Sequence, residues 1–200
     1  MKKFVISFAV MFISISTFAQ NSFPVSIQPK AGLNIAHVSN ISGSGPRYGF
    51  VVGAEAEFPL SKVFGLSAGV LYSAQGATFE GYYSGITLDQ TLQSDYLNIP
   101  ILANIYIVKG LSFKCGVQPA FNVKDNLKVE PRGNVSSASI TVSGKTDLKS
   151  FDFAIPFGLS YEIKNIVIDA RYNLGLTTLW DEGDEKHGVV QITLGYKFNL

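Results

Sequence analysis

The sequence predicts an all-β chain, an eight-stranded antiparallel up-and-down transmembrane β-barrel, on three observations. Apolar and polar residues alternate with period two over eight segments, and the helical period of 3.6 persists nowhere. One face collected from those segments carries no Asp, Glu, Lys or Arg. The connections between segments alternate short and long. Composition agrees: 200 residues, 46% apolar and 12% aromatic, with 19 Gly, 15 Phe and 9 Tyr, favour many short strands. Sixteen Lys and Arg against fifteen Asp and Glu leave a net charge of +1. That balance excludes a disordered chain and a nucleic-acid binder working by bulk electrostatics. A single cysteine, Cys115, excludes an internal disulfide framework and any multi-cysteine metal site. No cofactor and no metal are expected.

Residues 1–19 read as an export signal. Lys2 and Lys3 supply the positive start, Phe4 to Ile15 the apolar centre, and Thr17-Phe18-Ala19 a small-x-small cleavage site. The run falls short of the roughly 20 apolar residues that a spanning helix needs. Cleavage is expected after Ala19, leaving 20–200 as the barrel domain.

The strands follow from the alternation. Toward the end of the chain Val190, Ile192, Leu194, Tyr196 and Phe198 share one face, and Gln191, Thr193, Gly195 and Lys197 the other. Ile166 to Leu176 repeats the pattern, with Val167, Asp169, Arg171, Asn173 and Gly175 opposite Ile168, Ala170, Tyr172 and Leu174. Phe151 to Ile163 does the same, and segments near 25–36, 48–58, 64–75, 96–107 and 111–123 complete eight. The mixed face carries the ionic residues Lys30, Glu55, Glu57, Lys114, Asp152, Glu162, Asp169, Arg171 and Lys197, together with most strand glycines; the apolar face carries no glycine.

Volume decides which face points outward. An eight-stranded interior is just wide enough to be filled by side chains, and the bulky apolar set would overfill it. A misplaced Arg or Lys at mid-bilayer costs about 2–4 kcal/mol, which accounts for a lipid face without charges. The apolar face is therefore predicted outside. The connections around Pro59-Leu60-Ser61-Lys62, Val108-Lys109-Gly110 and Lys164-Asn165 are short, whereas 37–47, 76–95, 124–150 and 177–188 read as long polar loops. Eleven residues of strand at about 3.3 Å each, tilted near 40°, rise roughly 28 Å, enough for the apolar band. Outward Phe58, Phe64, Phe113, Tyr161, Tyr196 and Phe198 fall near the short-turn end, and Tyr48, Phe50, Tyr72, Phe121, Phe151 and Phe153 near the long-loop end, as two interfacial girdles. Pro29, Pro100, Pro119 and Pro156 lie inside strands, so bulges or ladder gaps are predicted at some of them. Residues 135–142 could extend a strand or form a hairpin in the longest loop.

Several short motifs carry a resemblance: Lys30-Ala31-Gly32-Leu33-Asn34, Gly69-Val70-Leu71-Tyr72, Tyr96-Leu97-Asn98-Ile99-Pro100-Ile101-Leu102 and Gly195-Tyr196-Lys197-Phe198, with the Ala19-Gln20 junction. In these the chain resembles the PorT-like outer-membrane β-barrel proteins of Gram-negative bacteria. The resemblance implies an eight-stranded barrel in the outer membrane. Some relatives are implicated in secretion of surface proteins, and the resemblance brings no catalytic residues with it.

Candidate chemistry is sparse. His37 and His187 lie near the predicted long-loop rim, His37 beside Ser39 and His187 near Glu185. A lipid-modifying barrel could use such a group, yet no spacing specifies it. Asp181, Glu182, Asp184 and Glu185 form an acidic loop that could attract a divalent cation or simply be solvated. Cys115 sits on the outward register as a small apolar residue, and Trp180 suits a rim anchor. The inward ionic set is nearly balanced, which predicts a plugged interior over a narrow channel.

The leading expectation is a non-enzymatic outer-membrane barrel, a surface scaffold or an accessory to envelope transport and secretion. Its long loops would be extracellular and its termini periplasmic. Its expected partners are outer-membrane lipid, the barrel-assembly machinery during biogenesis and an envelope or secretion partner at the loops, with no nucleic acid. A lipid A-modifying enzyme, a narrow channel and a soluble lipocalin-like carrier are the alternatives.

Overall fold

A computed structural model of the chain describes residues 24–39, 44–83, 86–132, 140–142, 149–178 and 185–200. The expected export signal at 1–19, its cleavage point, Trp180, Asp181, Glu182 and Asp184 lie outside the described residues. The strands are β1 (Ser26–Val38), β2 (Ser44–Pro59), β3 (Phe64–Tyr83), β4 (Ile86–Asn98), β5 (Ile101–Val108), β6 (Leu111–Arg132), β7 (Ile140–Val142), β8 (Phe151–Ile163), β9 (Ile166–Gly175), β10 (His187–Tyr196) and β11 (Phe198–Asn199). They build eight antiparallel staves, because β4 and β5 form one interrupted stave, β10 and β11 another, and β7 lies on β6 beyond the wall. Pairing of β1 with β10 and β11 closes the barrel.

Closure is staggered. From Cys115 the pairing runs one way through Phe157, Tyr172 and Val190 to Ile35. The other way it runs through Ala103 and Leu66 to Phe58, whose neighbour Glu57 faces Ser26. The two paths meet β1 at different heights, so the staves must tilt against the barrel axis.

Pro29, Pro100, Pro119 and Pro156 all coincide with ladder gaps in a preserved register. Ile99 and Pro100 separate β4 from β5 opposite Gln118 and Pro119, with Ile99 N donating to Pro119 O at 2.9 Å. The β6–β8 ladder skips from Cys115↔Phe157 to Gln118↔Ala154, across from Pro156. The β1–β10 and β1–β11 ladders are separated at Pro29 and Lys197. A proline has no N–H to give, so the ladder loses a rung while the stave keeps its phase. Register shifts occur at other points: between Pro46, itself a proline of β2, and Val51, between Asp95 and Tyr96, and between Tyr106 and Val108.

The faces divide by chemistry. Outward side chains are apolar and exposed, as with Leu33 at 68%, Phe50 at 52% and Leu194 at 58%. Soluble monomers rarely expose contiguous apolar patches beyond a few hundred Å². This surface runs around the wall and so calls for a hydrocarbon solvent, which the closed ladder tolerates because it leaves no unpaired edge. The inward face holds Lys30, Asn34, Glu55, Asp169, Arg171 and Gln191, all buried. Gly188 stands outward: β10 begins at His187 rather than near 190, so this glycine falls on the lipid register beneath His37 and Tyr172.

Two of the expected long loops are largely strand. Residues 76–95 were expected as loop, yet β3 and β4 stay paired up to Tyr83↔Ile86, and β6 accompanies β4 up to Arg132↔Thr87. Thr78, Phe79, Tyr82, Tyr83, Ile86 and Thr87 have high β propensity, and backbone pairing does not require an apolar face. Ile140–Val142 adds to this sheet beside β6; residues 135–139 lie outside the described residues. The turns at the opposite end are tight. Ser61 Oγ accepts from Phe64 N at 2.9 Å, Gly110 takes φ 87°, and Lys164 takes φ 57°.

Candidate functional site

The inward face forms two levels. Nearer the short turns is an ionic cluster drawn from opposite sides of the wall. Lys30 Nζ lies 2.8 Å from Glu55 Oε2 and 3.8 Å from Asp169 Oδ2. Arg171 donates from Nε to Asp169 Oδ1 at 2.8 Å and from Nη2 to Asp169 Oδ2 at 2.9 Å, a forked pair. Its Nη2 also donates to Glu55 Oε2 at 3.3 Å, while Nη1 stands 2.9 Å from Glu55 Oε1 as an ionic contact outside hydrogen-bond geometry. Lys114 Nζ approaches Asp169 Oδ2 at 3.6 Å and Glu57 Oε2 at 3.9 Å. Lys197 Nζ then bridges Glu57 Oε1 at 2.9 Å and Glu162 Oε2 at 2.8 Å, reaching the short-turn mouth.

Asp152 stands apart from this cluster. It faces inward at the long-loop end, where its Oδ1 accepts from Phe153 N at 2.7 Å and from the Thr177 hydroxyl. Without it the connected set is balanced, Lys30, Lys114, Arg171 and Lys197 against Glu55, Glu57, Glu162 and Asp169. Mutual neutralisation is what makes such burial tolerable, since an uncompensated buried ion costs several kcal/mol.

Sequence reasoning missed the uncharged members. Tyr106 points inward and donates its hydroxyl to Glu57 Oε1 at 3.0 Å, over a space that Gly65 leaves open. The second level, toward the long loops, is made of amides, hydroxyls and one imidazole. Asn34 Nδ2 donates to Ser73 Oγ at 2.8 Å, Gln75 Nε2 to the same oxygen at 2.9 Å, and Asn173 Nδ2 to Gln191 Oε1 at 3.2 Å. His187, expected in a loop, is buried in the barrel with Nε2 3.5 Å from the Tyr96 hydroxyl. A cavity of about 10 Å³, room for about one water, lies among Gln75, Asn98, Gln118, Asp152, Asn173 and His187. A second, of about 60 Å³, opens among Glu57, Tyr106, Ser112, Ser160 and Glu162 near the short turns. The inward parity of these residues was readable from the alternation, but nothing distinguished them from any other inward polar side chain.

The expected interfacial aromatics Phe58, Phe64, Tyr72, Phe113, Phe121, Tyr161, Tyr196 and Phe198 all fall on outward positions. Phe121 packs edge-on against Phe151 at 5.5 Å between centroids, and Tyr196 tilts against Phe198 at 4.7 Å. Tyr72 donates to Asp95 Oδ2 at 2.6 Å, which places a carboxylate on the outer face at the long-loop end. Asp95 is outward by the alternation of β4, and the register shift there, which leaves Val123 of β6 unpaired, reverses the phase of β6 and sets Lys124 opposite it on the same face.

The two histidines do not form one site. His37 is outward, with Nε2 3.5 Å from the Tyr172 hydroxyl, and His187 is inward across the same wall. Ser39, beside His37 in sequence, donates its hydroxyl to Lys186 O at 3.2 Å. Cys115 is a half-buried free thiol. Among the described residues no group of three His, Cys, Asp or Glu side chains could hold a metal ion.

The family described as outer membrane protein beta-barrel domain matches residues 18–181 of the chain. No curated protein matches it in sequence. Among solved structures it is similar to Ail, the attachment invasion locus protein of Yersinia pestis, crystallised with the heparin analogue sucrose octasulfate. That match is 18% identical with TM-score 0.53, over 88% of this chain and 100% of Ail. Neisserial surface protein A matches at 16% identity and TM-score 0.50, over 87% of this chain and 97% of that one. At such identities the likeness is one of fold.

Proposed function

We propose, from the premise that this chain belongs to the outer membrane protein beta-barrel domain family, that it is a non-enzymatic surface scaffold or an accessory to envelope transport and secretion. The barrel lies in the outer membrane, and in this reading the short turns and termini are periplasmic and the β3–β4–β6 extension and its loops extracellular. The supporting observation is the lumen: a balanced ionic cluster crosses it, so traffic through the barrel is blocked and the work falls to the loops. The motifs quoted above favour the PorT-like branch within the family. The polar lining argues against a lipocalin-like carrier, whose interior must be apolar.

Planar-bilayer recording of purified protein tests the closed lumen. No stable single-channel steps are expected, and reproducible unitary conductance would overturn the reading in favour of a narrow channel. Crosslinking from residues 125–149 in intact cells should then recover a discrete envelope partner. Lipid A from deletion and complemented cells should show the same acyl pattern, and a shift restored by complementation would instead support the lipid-modifying alternative.

A further inference from the structure

We propose that the short-turn rim is a docking surface for anionic phospholipid headgroups, formed by Lys62, Lys109 and Lys164. This rests on the reading that the apolar face lies in a bilayer, and it adds a lipid selectivity and an end of the barrel to that reading. Each of the three short turns, β2–β3, β5–β6 and β8–β9, carries one exposed lysine and no carboxylate. None of the three has a carboxylate partner among the described residues.

Charge elsewhere is compensated. The lumen takes Lys30, Lys114, Arg171 and Lys197 against an equal set of acids. Of the bases after residue 20, the rest fall in sequence on the long-loop side, where carboxylates outnumber them. The short-turn rim is therefore the one part of the barrel domain whose sequence leaves positive charge unbalanced.

The depth fits headgroups. Lys62 lies two residues from outward Phe64, Lys109 four from Phe113 and Lys164 three from Tyr161. At about 3.3 Å per residue along staves tilted near 40°, these turn positions stand roughly 5–10 Å beyond the aromatic level, within the polar layer of a leaflet. The three turns also follow one another around the rim and together span six of its eight staves. An annulus of lipid meets all three, whereas one protein partner would have to cap the whole mouth.

Lys164 adds an independent sign. Its φ of 57° is left-handed, a conformation that glycine or asparagine adopts at much lower cost. The turn keeps an amine where its backbone favours glycine, as a position held for its charge would.

The test uses the full mature chain in bilayers of phosphatidylcholine containing spin-labelled phosphatidylglycerol or phosphatidylcholine, with the motionally restricted lipid measured by electron spin resonance. Wild type should prefer phosphatidylglycerol on the order of threefold, and 1 M salt should abolish the preference. K62Q/K109Q/K164Q should bring the ratio to about one, whereas K124Q/K186Q at the other end should keep it. Lys164→Gly alone should lower the ratio while leaving the barrel at least as resistant to urea as wild type. An unchanged ratio in the triple variant, or its loss in K124Q/K186Q instead, would overturn the proposal. Absence of any restricted lipid around a folded barrel would overturn the bilayer reading itself, and the proposal with it.

Discussion

Replacing Arg171 with methionine probes the ionic cluster at its most connected point. The guanidinium contacts both Asp169 oxygens at 2.8 and 2.9 Å and both Glu55 oxygens at 2.9 and 3.3 Å, and only 4% of the residue is exposed. At an effective dielectric near 20, one pair at such separation is worth about 6 kcal/mol gross, and desolvation takes back most of it. Removing the arginine leaves Glu55, Glu57, Glu162 and Asp169 facing Lys30, Lys114 and Lys197, one negative charge in excess. Breaking a buried pair from one side costs about 3–5 kcal/mol. Arg171→Met is expected to lose that much in urea unfolding from lipid vesicles, read by the heat-dependent mobility shift of the folded barrel. Adding Glu55→Gln restores neutrality and should recover at least half of the loss. If Arg171→Met lies within about 1 kcal/mol of wild type, or the second change deepens the loss, the cluster is not the electrostatic unit described here.

Two further outcomes follow from the faces of the wall. Leu194 is 58% exposed and outward, and Thr193 is 1% exposed and inward. Leu194→Arg should cost about 2–4 kcal/mol in the same unfolding assay. A lipid-soluble quencher should reach a label at 194 and not one at 193; the reverse pattern would invert the barrel. At the lumen, a methyl on Gly65 would meet the Tyr106 hydroxyl at 2.5 Å. Gly65→Ala should therefore cost about 1–3 kcal/mol, and much less in a Tyr106→Ser background, by comparative urea midpoints.

The wall was legible because its signal is repeated. Every strand had to keep period two over the hydrocarbon depth, and a single misplaced charge is costly there, so the outward set from Leu33 to Phe198 could be read residue by residue. Beyond the hydrocarbon that pressure stops. Ala77 to Tyr83 and Ile86 to Asp95 remain paired, but without a lipid face to satisfy they read as loop. The lumen was legible in parity and not in height. Asp152 faces inward as its alternation requires, yet the stagger of the staves sets it level with His187 and away from Arg171. Which inward residues meet is fixed by register and bulges, such as the shift at Asp95, and these depend on pairings between distant segments.

The pairing of glycines with ionic residues on one face, visible in the sequence as a bare correlation, has a steric cause. In so narrow a barrel a long inward side chain has to lie across the neighbouring strand. A Cβ on Gly69 would come within 2.5 Å of Glu55 Cγ and one on Gly195 within 2.8 Å of Gln28 Nε2, while one on Gly158 would meet the backbone of the neighbouring strand, Ala170 O and Arg171 Cα. Gly69 and Gly195 are the seats on which Glu55 and Gln28 rest, Gly158 lets the strand that carries Arg171 come close, and the approach they permit is what lets the charged tips converge. The glycines and the charges are thus parts of one closure: larger residues at those seats would push the ionic tips apart and leave them buried without partners.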